Sequence, residues 1–343
     1  MFRCSRSTVT SLKTTYRYSS STSGPAPGKR FISGRSIVLT IALGTPAALY
    51  FFYPDASRSA PTSSDAPLSP SHFTPATVES TVGSGPNTKL MTLVIPPNLI
   101  PQSALGPIWS VFIKDDQIQV ERPYTPLYGI DESGRMEFWI KKYPKGEVGR
   151  WLHSKAVGDT IELRGPLSTW HWKEDAWDEV IMISGGTGFT PYNQLFHSII
   201  TSSSSPKTRF TLLHSSLCPE ELPPDELLAP FRRFARDRPD RLRVALHVDQ
   251  LAGRNSDVVL GRIGRADIEK AAGVSNPPWY AFWRSAAQTP APRERKIMFL
   301  ICGPDTMITA IAGPFGRNLS QGPVGGILGE LGFSSHQVYK LSS

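Results

Sequence analysis

Short apolar runs punctuate this chain, and their texture changes part-way along it. Beginning near Phe73, Leu90–Ile95 ends at Pro96-Pro97, Ile108–Ile113 is followed by Ile118–Val120 after an Asp115-Asp116 turn, and Met136–Ile140 and Asp159–Leu163 alternate. Runs of this length bounded by Gly, Pro and Asp read as strands. Their density predicts a six-stranded antiparallel barrel over residues 72–175, with Gly149–Ser154 as a helix capping one mouth.

Beyond residue 176 the runs become longer and more continuous. Glu179–Ser184, Arg209–His214, Arg241–Val248 and Arg295–Cys302 read as buried strands, with an amphipathic helix around Glu226–Arg238 between the second and third. Strands alternating with helical patterns predict a parallel sheet over 176–343. Gly325–Gly332 fits a last helix, and Val338–Leu341 a final strand beside the Arg295–Cys302 one. Gly253–Glu294, carrying Pro277-Pro278-Trp279-Tyr280 and Phe282-Trp283-Arg284, reads as a long insertion: a disordered excursion or a docking surface for a protein partner.

Ahead of the barrel the pattern is different again. Residues 1–35 are rich in Ser, Thr and Arg, which predicts a mitochondrial transit peptide, a disordered basic tail being the alternative. Residues 36–53 contain the uncharged run Ile37–Tyr53, just long enough to span a bilayer. It ends in Tyr50-Phe51-Phe52-Tyr53, as an interfacial belt would. A single transmembrane helix is expected there, with a secretory signal core as its competitor. Residues 54–71 are Ser, Pro, Ala and Asp, the composition of an extended linker. Arginines before the span and acids only after it put the folded body on the far side from the matrix. The expected location is the inner mitochondrial membrane, with that body in the intermembrane space.

Charge adds one exclusion. The net charge is +8, but residues 1–54 hold seven basic residues and no acid, leaving 30 basic against 29 acidic residues in the remainder. The basicity belongs to the leader, so nucleic-acid binding is not expected. Cys4, Cys218 and Cys302 form no CxxC pair, and the seven histidines show no metal-site spacing.

Three motifs carry the chemistry. Arg122-Pro123-Tyr124-Thr125 closes a strand: arginine suits a pyrophosphate, tyrosine offers a flat face, and threonine a short donor for a ring nitrogen. Gly185-Gly186-Thr187-Gly188 sits between strand and helix, with Pro191 in the first helical turn, the setting in which glycines let a dinucleotide phosphate approach the backbone. Cys302-Gly303-Pro304 ends a later strand at the sheet edge where ligands collect. In this order the trio suits a flavin, a dinucleotide and a nicotinamide ring.

From about Phe73 to the C-terminus the chain resembles the ferredoxin–NADP reductase superfamily, in its NADH–cytochrome b5 reductase branch. The resemblance rests on the RxYT tetrapeptide, on Lys141-Lys142-Tyr143-Pro144-Lys145-Gly146 leading to Gly149 and Leu152, on Gly158-Asp159 and Gly165-Pro166, and on the two later motifs. It implies FAD held by Arg122, Pro123, Tyr124, Thr125, Gly146, Val148 and Gly149, and NADH (or NADPH) held by Gly185, Gly186, Thr187, Gly188, Pro191, Cys302, Gly303 and Pro304. It also implies catalytic roles for Thr125 at the flavin and for Cys302, which would orient the nicotinamide for hydride transfer to flavin N5. Ser215-Ser216-Leu217 lacks a basic cluster for a 2′-phosphate, which favours NADH.

Where the family carries Ser or Thr, this chain has Gly149, so a weaker hold on FAD is expected. The ending resembles that of mitochondrial anchored flavoproteins assisting haem attachment to cytochrome c. The expected activity is electron transfer from NAD(P)H to a haem or protein acceptor, such as cytochrome b5 or cytochrome c assembly components. The alternatives are an outer-membrane NADH–cytochrome b5 reductase and a non-catalytic flavin-binding assembly factor.

Overall fold

The computed structural model describes residues 60–103, 105–116, 119–202, 207–250, 257–274 and 295–342. The expected transit peptide and transmembrane span, and the first residues of the expected linker, lie outside the described residues. Among those described, no helix is long and apolar enough to cross a membrane.

Six strands build the first sheet: β1 (Thr74–Gly85), β2 (Thr88–Val94), β3 (Ile108–Lys114), β4 (Glu121–Tyr124), β5 (Arg135–Lys141) and β6 (Thr160–Trp170). They pair antiparallel in the order β4-β3-β6-β1-β2-β5. In β2, Met91 and Leu93 turn inward while their neighbours are half-exposed, the period-two pattern of a sheet with one buried face. With Val78, Val111, Ile113, Phe138 and Leu163 they fill one core. Of the expected strand at Ile118–Val120, Ile118 lies outside the described residues, and Gln119 and Val120 are not strand. The Asp115 amide donates to the Val120 carbonyl at 3.0 Å and Gln119 has φ +57°, so the strand starts only at Glu121. Helix α1 (Glu147–Ser154) follows β5 and buries Val148, Trp151 and Leu152 against this core.

The second sheet is parallel throughout, in the order β10-β9-β8-β7-β11-β12. Its strands are β7 (Glu179–Gly185), β8 (Arg209–Ser216), β9 (Leu242–Val248), β10 (Val259–Leu260), β11 (Ile297–Cys302) and β12 (Val338–Leu341). Every residue of β7 and β11 is buried, because helices cover both faces. Val180 and Met182 face α2 (Thr190–Leu195) and α3 (Asp225–Asp237); Ile181 and Ile183 face α4 (Arg265–Ala272), α5 (Asp305–Ala312) and α6 (Gly326–Glu330). The final strand lies where the sequence put it, with Leu341 opposite Cys302.

The supposed insertion is partly sheet. Val259-Leu260 pair parallel with His247-Val248, and α4 buries Ile268 and Ala272 in the second layer. Backbone pairing and burial thus hold this stretch in the domain. The aromatic segment at 277–284 lies outside the described residues.

The two sheets share a core. Ile108, Leu127, Trp139 and Trp170 of the first pack into the cluster containing Val180, Tyr192 and Leu300 of the second. Polar bonds fix the angle between them. The Trp109 amide donates to Gln194 Oε1 at 3.0 Å, and Asn193 Nδ2 donates to the Leu127 carbonyl at 2.8 Å. Tyr339 hydroxyl donates to the Thr169 carbonyl at 2.5 Å. The joint between the two sheets is therefore packed and hydrogen-bonded.

Candidate active site

Two cavities open at that joint and share a wall. The first, of about 320 Å³, is lined by Arg122 to Thr125 on β4, by Trp139 and Lys141 on β5, by Tyr143, and by Lys145 to Gly149 at the start of α1. Thr187 and Thr190 close it from the parallel sheet. The second, of about 340 Å³, spreads over the C-terminal ends of the parallel strands, from Pro304 and Met307 across Gly185-Gly186 to Ser215–Leu217, Asp249 and Arg262. Lys141 and Tyr143 line both cavities.

The first cavity's chemistry fits a flavin nucleotide. Helix α1 begins at Gly146 with no side-chain cap, so its first amides are donors for an anion where Glu147, Val148 and Gly149 line the cavity. Arg122 is exposed at the rim, with one guanidinium nitrogen donating to the Glu121 carbonyl at 2.8 Å. Tyr124, Tyr143 and Trp139 give flat faces, and buried Thr125 adds a hydroxyl. Burial pushes the Tyr124 phenol up, against the pull of the Arg122 charge, so it stays neutral.

Gly149 has a local cause. A Cβ at this position would sit 2.9 Å from the Lys141 carbonyl oxygen, so α1 packs directly on the β5 backbone. A side chain at this position would need the helix start or the end of β5 to move.

The glycine turn is seated in a similar way. A Cβ at Gly188 would fall 2.7 Å from the Gly303 nitrogen and closer still to the Cys302 carbonyl. The two motifs, far apart in sequence, thus pack backbone on backbone. Tyr192, fully buried just after the turn, donates toward the carbonyls of Leu300 at 2.6 Å and Ile183 at 3.1 Å, tying β7 to β11.

Most expected residues converge. Arg122, Pro123, Tyr124, Thr125, Gly146, Val148, Gly149 and Thr187 line the first cavity; Gly185, Gly186 and Pro304 line the second. Gly188, Pro191, Cys302 and Gly303 line neither. The Cys302 side chain is fully buried at the end of β11.

Residues not singled out as ligands complete the joint. Lys141 Nζ bonds Glu221 Oε2 at 2.6 Å, linking barrel to sheet. Burial raises the Tyr143 phenol, opposed by a hydrogen bond with the Thr187 side chain. Beneath the turn, His214 Nδ1 bonds Ser184 Oγ at 2.8 Å and its Nε2 bonds Ser216 Oγ at 3.2 Å. Burial, then the nearby Lys141 charge, pushes this histidine down to about 3, so it is neutral. Lys141 and Tyr143 were visible in the Lys-x-Tyr stretch; the others come from separate strands, and no local pattern marks them.

Comparison with known proteins gives the same picture. Residues 76–172 match the family described as "Oxidoreductase FAD-binding domain", and 182–313 the "Oxidoreductase NAD-binding domain". NADH-cytochrome b5 reductase 2-A of Vanderwaltozyma polyspora is 32% identical over 235 residues, 67% of this chain and 70% of that protein. NADH-cytochrome b5 reductase 2 of Mycosarcoma maydis is 31% identical over 230 residues, 66% of this chain but only 59% of that protein. The chain therefore matches less than two thirds of the latter's length. Among solved structures, the cytochrome b5 reductase domain of Ulva prolifera nitrate reductase superposes with a TM-score of 0.59 at 19% identity, covering 80% of this chain and 99% of that one. The ferredoxin NADP+ reductase from Neisseria gonorrhoeae gives 0.51 at 17%, covering 78% and 98%. At such identities the likeness is one of fold.

Proposed function

Because this chain belongs to the ferredoxin–NADP reductase family, in its NADH–cytochrome b5 reductase branch, we propose that it takes a hydride from NADH onto bound FAD and passes electrons to a haem-protein acceptor. The single observation that carries this reading is the common wall: Lys141 and Tyr143 line a flavin-sized cavity on one side and the strand-end cavity on the other. When bound, FAD supplies the conversion between two-electron and one-electron transfer. The protein's part is to bind, orient and exclude water.

Arg122 and the opening amides of α1 would hold the flavin's pyrophosphate, while Tyr124 and Thr125, lining the same cavity, would face its ring. The backbone at Gly185-Gly186, which lines the second cavity, would take the phosphates of the nicotinamide donor. Tyr143, kept neutral by burial and held by Thr187, places a flat face where the two cavities meet. Lys141, paired with Glu221, fixes the barrel edge against the second sheet. Cys302 acts as a positioning residue. Its main chain supports Gly188, and its burial leaves the wall to Pro304 and the turn.

The acceptor is a cytochrome b5-type haem protein, a reading supported by the names of the relatives. Location on a mitochondrial membrane, with the catalytic body in the intermembrane space, is supported by the acid-free leader and the apolar run Ile37–Tyr53. There the protein would serve cytochrome c haem attachment, as the ending Val338–Leu341 suggests. The test is to reduce the flavin anaerobically and offer cytochrome b5, cytochrome c and haemin in turn; reoxidation by none of them refutes the haem acceptor. Protease protection in intact against swollen mitochondria tests the location, and digestion in intact mitochondria rules out the intermembrane space.

A further inference from the structure

A buried polar chain runs beneath the glycine turn and ends at the wall that the two cavities share. Along β8, Phe210, Leu212 and His214 point to one face of the sheet, and the first two join the apolar cluster there. His214 continues that row as a fully buried imidazole. Burying an imidazole costs free energy unless its polar atoms are bonded, and both ring nitrogens are: Nδ1 meets Ser184 Oγ at 2.8 Å and Nε2 meets Ser216 Oγ at 3.2 Å. The ring also packs edge-on against Phe189, with centroids 5.7 Å apart. Ser184 directly precedes Gly185-Gly186-Thr187-Gly188 and Phe189 directly follows it, so one side chain holds both ends of the turn.

Counting protons gives the chain a direction. Ser216 has a single hydroxyl proton and donates it to the Glu221 carbonyl at 3.1 Å, so toward the ring its oxygen can only accept. The neutral imidazole must then carry its proton on Nε2, which leaves Nδ1 to accept from Ser184 Oγ. Ser184 donates to His214, His214 to Ser216 and Ser216 to Glu221, all in one sense, each bond polarising the next. The last residue carries the carboxylate that holds Lys141 Nζ at 2.6 Å. The end of β7 is thereby linked to Lys141, which lines both cavities.

We infer that His214 is a positioning residue for hydride transfer: its Nε2–H holds the Ser216–Glu221 segment, and through it Lys141, in register with the glycine turn. The inference rests on the reading of the second cavity as the nicotinamide-dinucleotide site. Gly185, Gly186, Ser216 and Lys141 all line that cavity, so a shift of one against another changes where the donor sits relative to the flavin. His214 itself lines neither cavity and acts only through these residues. The flavin's own contacts on β4 and α1 lie outside the chain.

The test separates the two ring nitrogens in the full-length, FAD-loaded protein. His214→Asn reaches only the Nδ1 side and cuts the link to Ser216, whereas His214→Gln puts an amide N–H close to where Nε2 was. Flavin reduction at saturating NADH, followed by anaerobic stopped flow, falls about tenfold in His214→Asn, and His214→Gln recovers most of that loss. Ser216→Ala cuts the same link from its other side, and adding it to His214→Asn costs little more than either alone. FAD stays bound in every variant, and nitrogen NMR of the wild-type histidine ring finds the proton on Nε2. A proton on Nδ1, an unchanged rate in His214→Asn, equal slowing by His214→Asn and His214→Gln, or additive effects of His214→Asn and Ser216→Ala would each overturn the positioning role and leave the cavity's identity standing. If calorimetric titration shows that NAD+ does not bind the wild-type protein, the reading of the cavity falls, and this inference with it.

Discussion

Lys141, at the end of β5, and Glu221, beyond β8 in the other sheet, form an ion pair at 2.6 Å with each side chain only 10% exposed. A pair so shielded is costly to break from one side, because the remaining charge stays buried without a partner. This pair also stands at the wall that both cavities share.

Lys141→Met should therefore destabilise the protein by about 3 kcal/mol and slow reduction of the flavin by NADH. The double variant Lys141→Met/Glu221→Leu should recover much of the stability, read by denaturant unfolding, without recovering the rate, read by stopped flow. Recovery of both would reduce the pair to a structural clamp.

Gly149 makes an opposite kind of prediction. Gly149→Ser restores the hydroxyl that the family pattern carries, yet its Cβ would meet the Lys141 carbonyl oxygen at 2.9 Å. We expect a loss of about 1–3 kcal/mol in stability and no gain in FAD affinity, measured by flavin fluorescence on titration. Tighter FAD binding in Gly149→Ser would show that α1 has room to shift.

Cys302→Ala removes a buried sulfur behind the glycine turn while sparing the backbone on which Gly188 rests. FAD should remain bound, and the hydride-transfer rate should fall about tenfold or more through misplacement of the donor. An unchanged rate constant for flavin reduction would remove Cys302 from the mechanism.

His214 gives a pH signature. Its folded-state pKa lies near 3 against 6.5 for the free group, so below 6.5 the unfolded chain binds a proton that the folded protein refuses. Its contribution is fully present above 6.5 and is lost as pH falls from 6.5 toward 3, at up to about 1.4 kcal/mol per pH unit. His214→Gln should flatten that part of the acid limb in a plot of unfolding free energy against pH. An acid limb identical to that of the wild-type protein would contradict the buried neutral imidazole.

Much of this architecture could be read from the residues because two-sided burial writes continuous apolar strands. Glu179–Ser184 and Arg295–Cys302 each end in a motif that the sheet then sets side by side, Cys302 opposite Ser184. β1 was harder, since its later half, Thr81 to Gly85, is polar and partly exposed. β10 is two exposed residues and carries no periodic signal, so the segment around it read as an insertion although pairing with β9 makes it sheet. The flavin-side residues were legible as one tetrapeptide and one helix start. Lys141–Glu221 and Ser184–His214–Ser216 were not, because each joins strand ends that only the fold brings together.

The central step of the proposed activity is direct delivery of hydride across the Lys141–Tyr143 wall. The most direct measurement is anaerobic stopped-flow mixing of the FAD-loaded protein with NADH and with NADH deuterated at the transferring position. The flavin absorption should bleach in a single turnover, more slowly with the deuterated donor. A flavin that stays oxidised while NADH is demonstrably bound would contradict it.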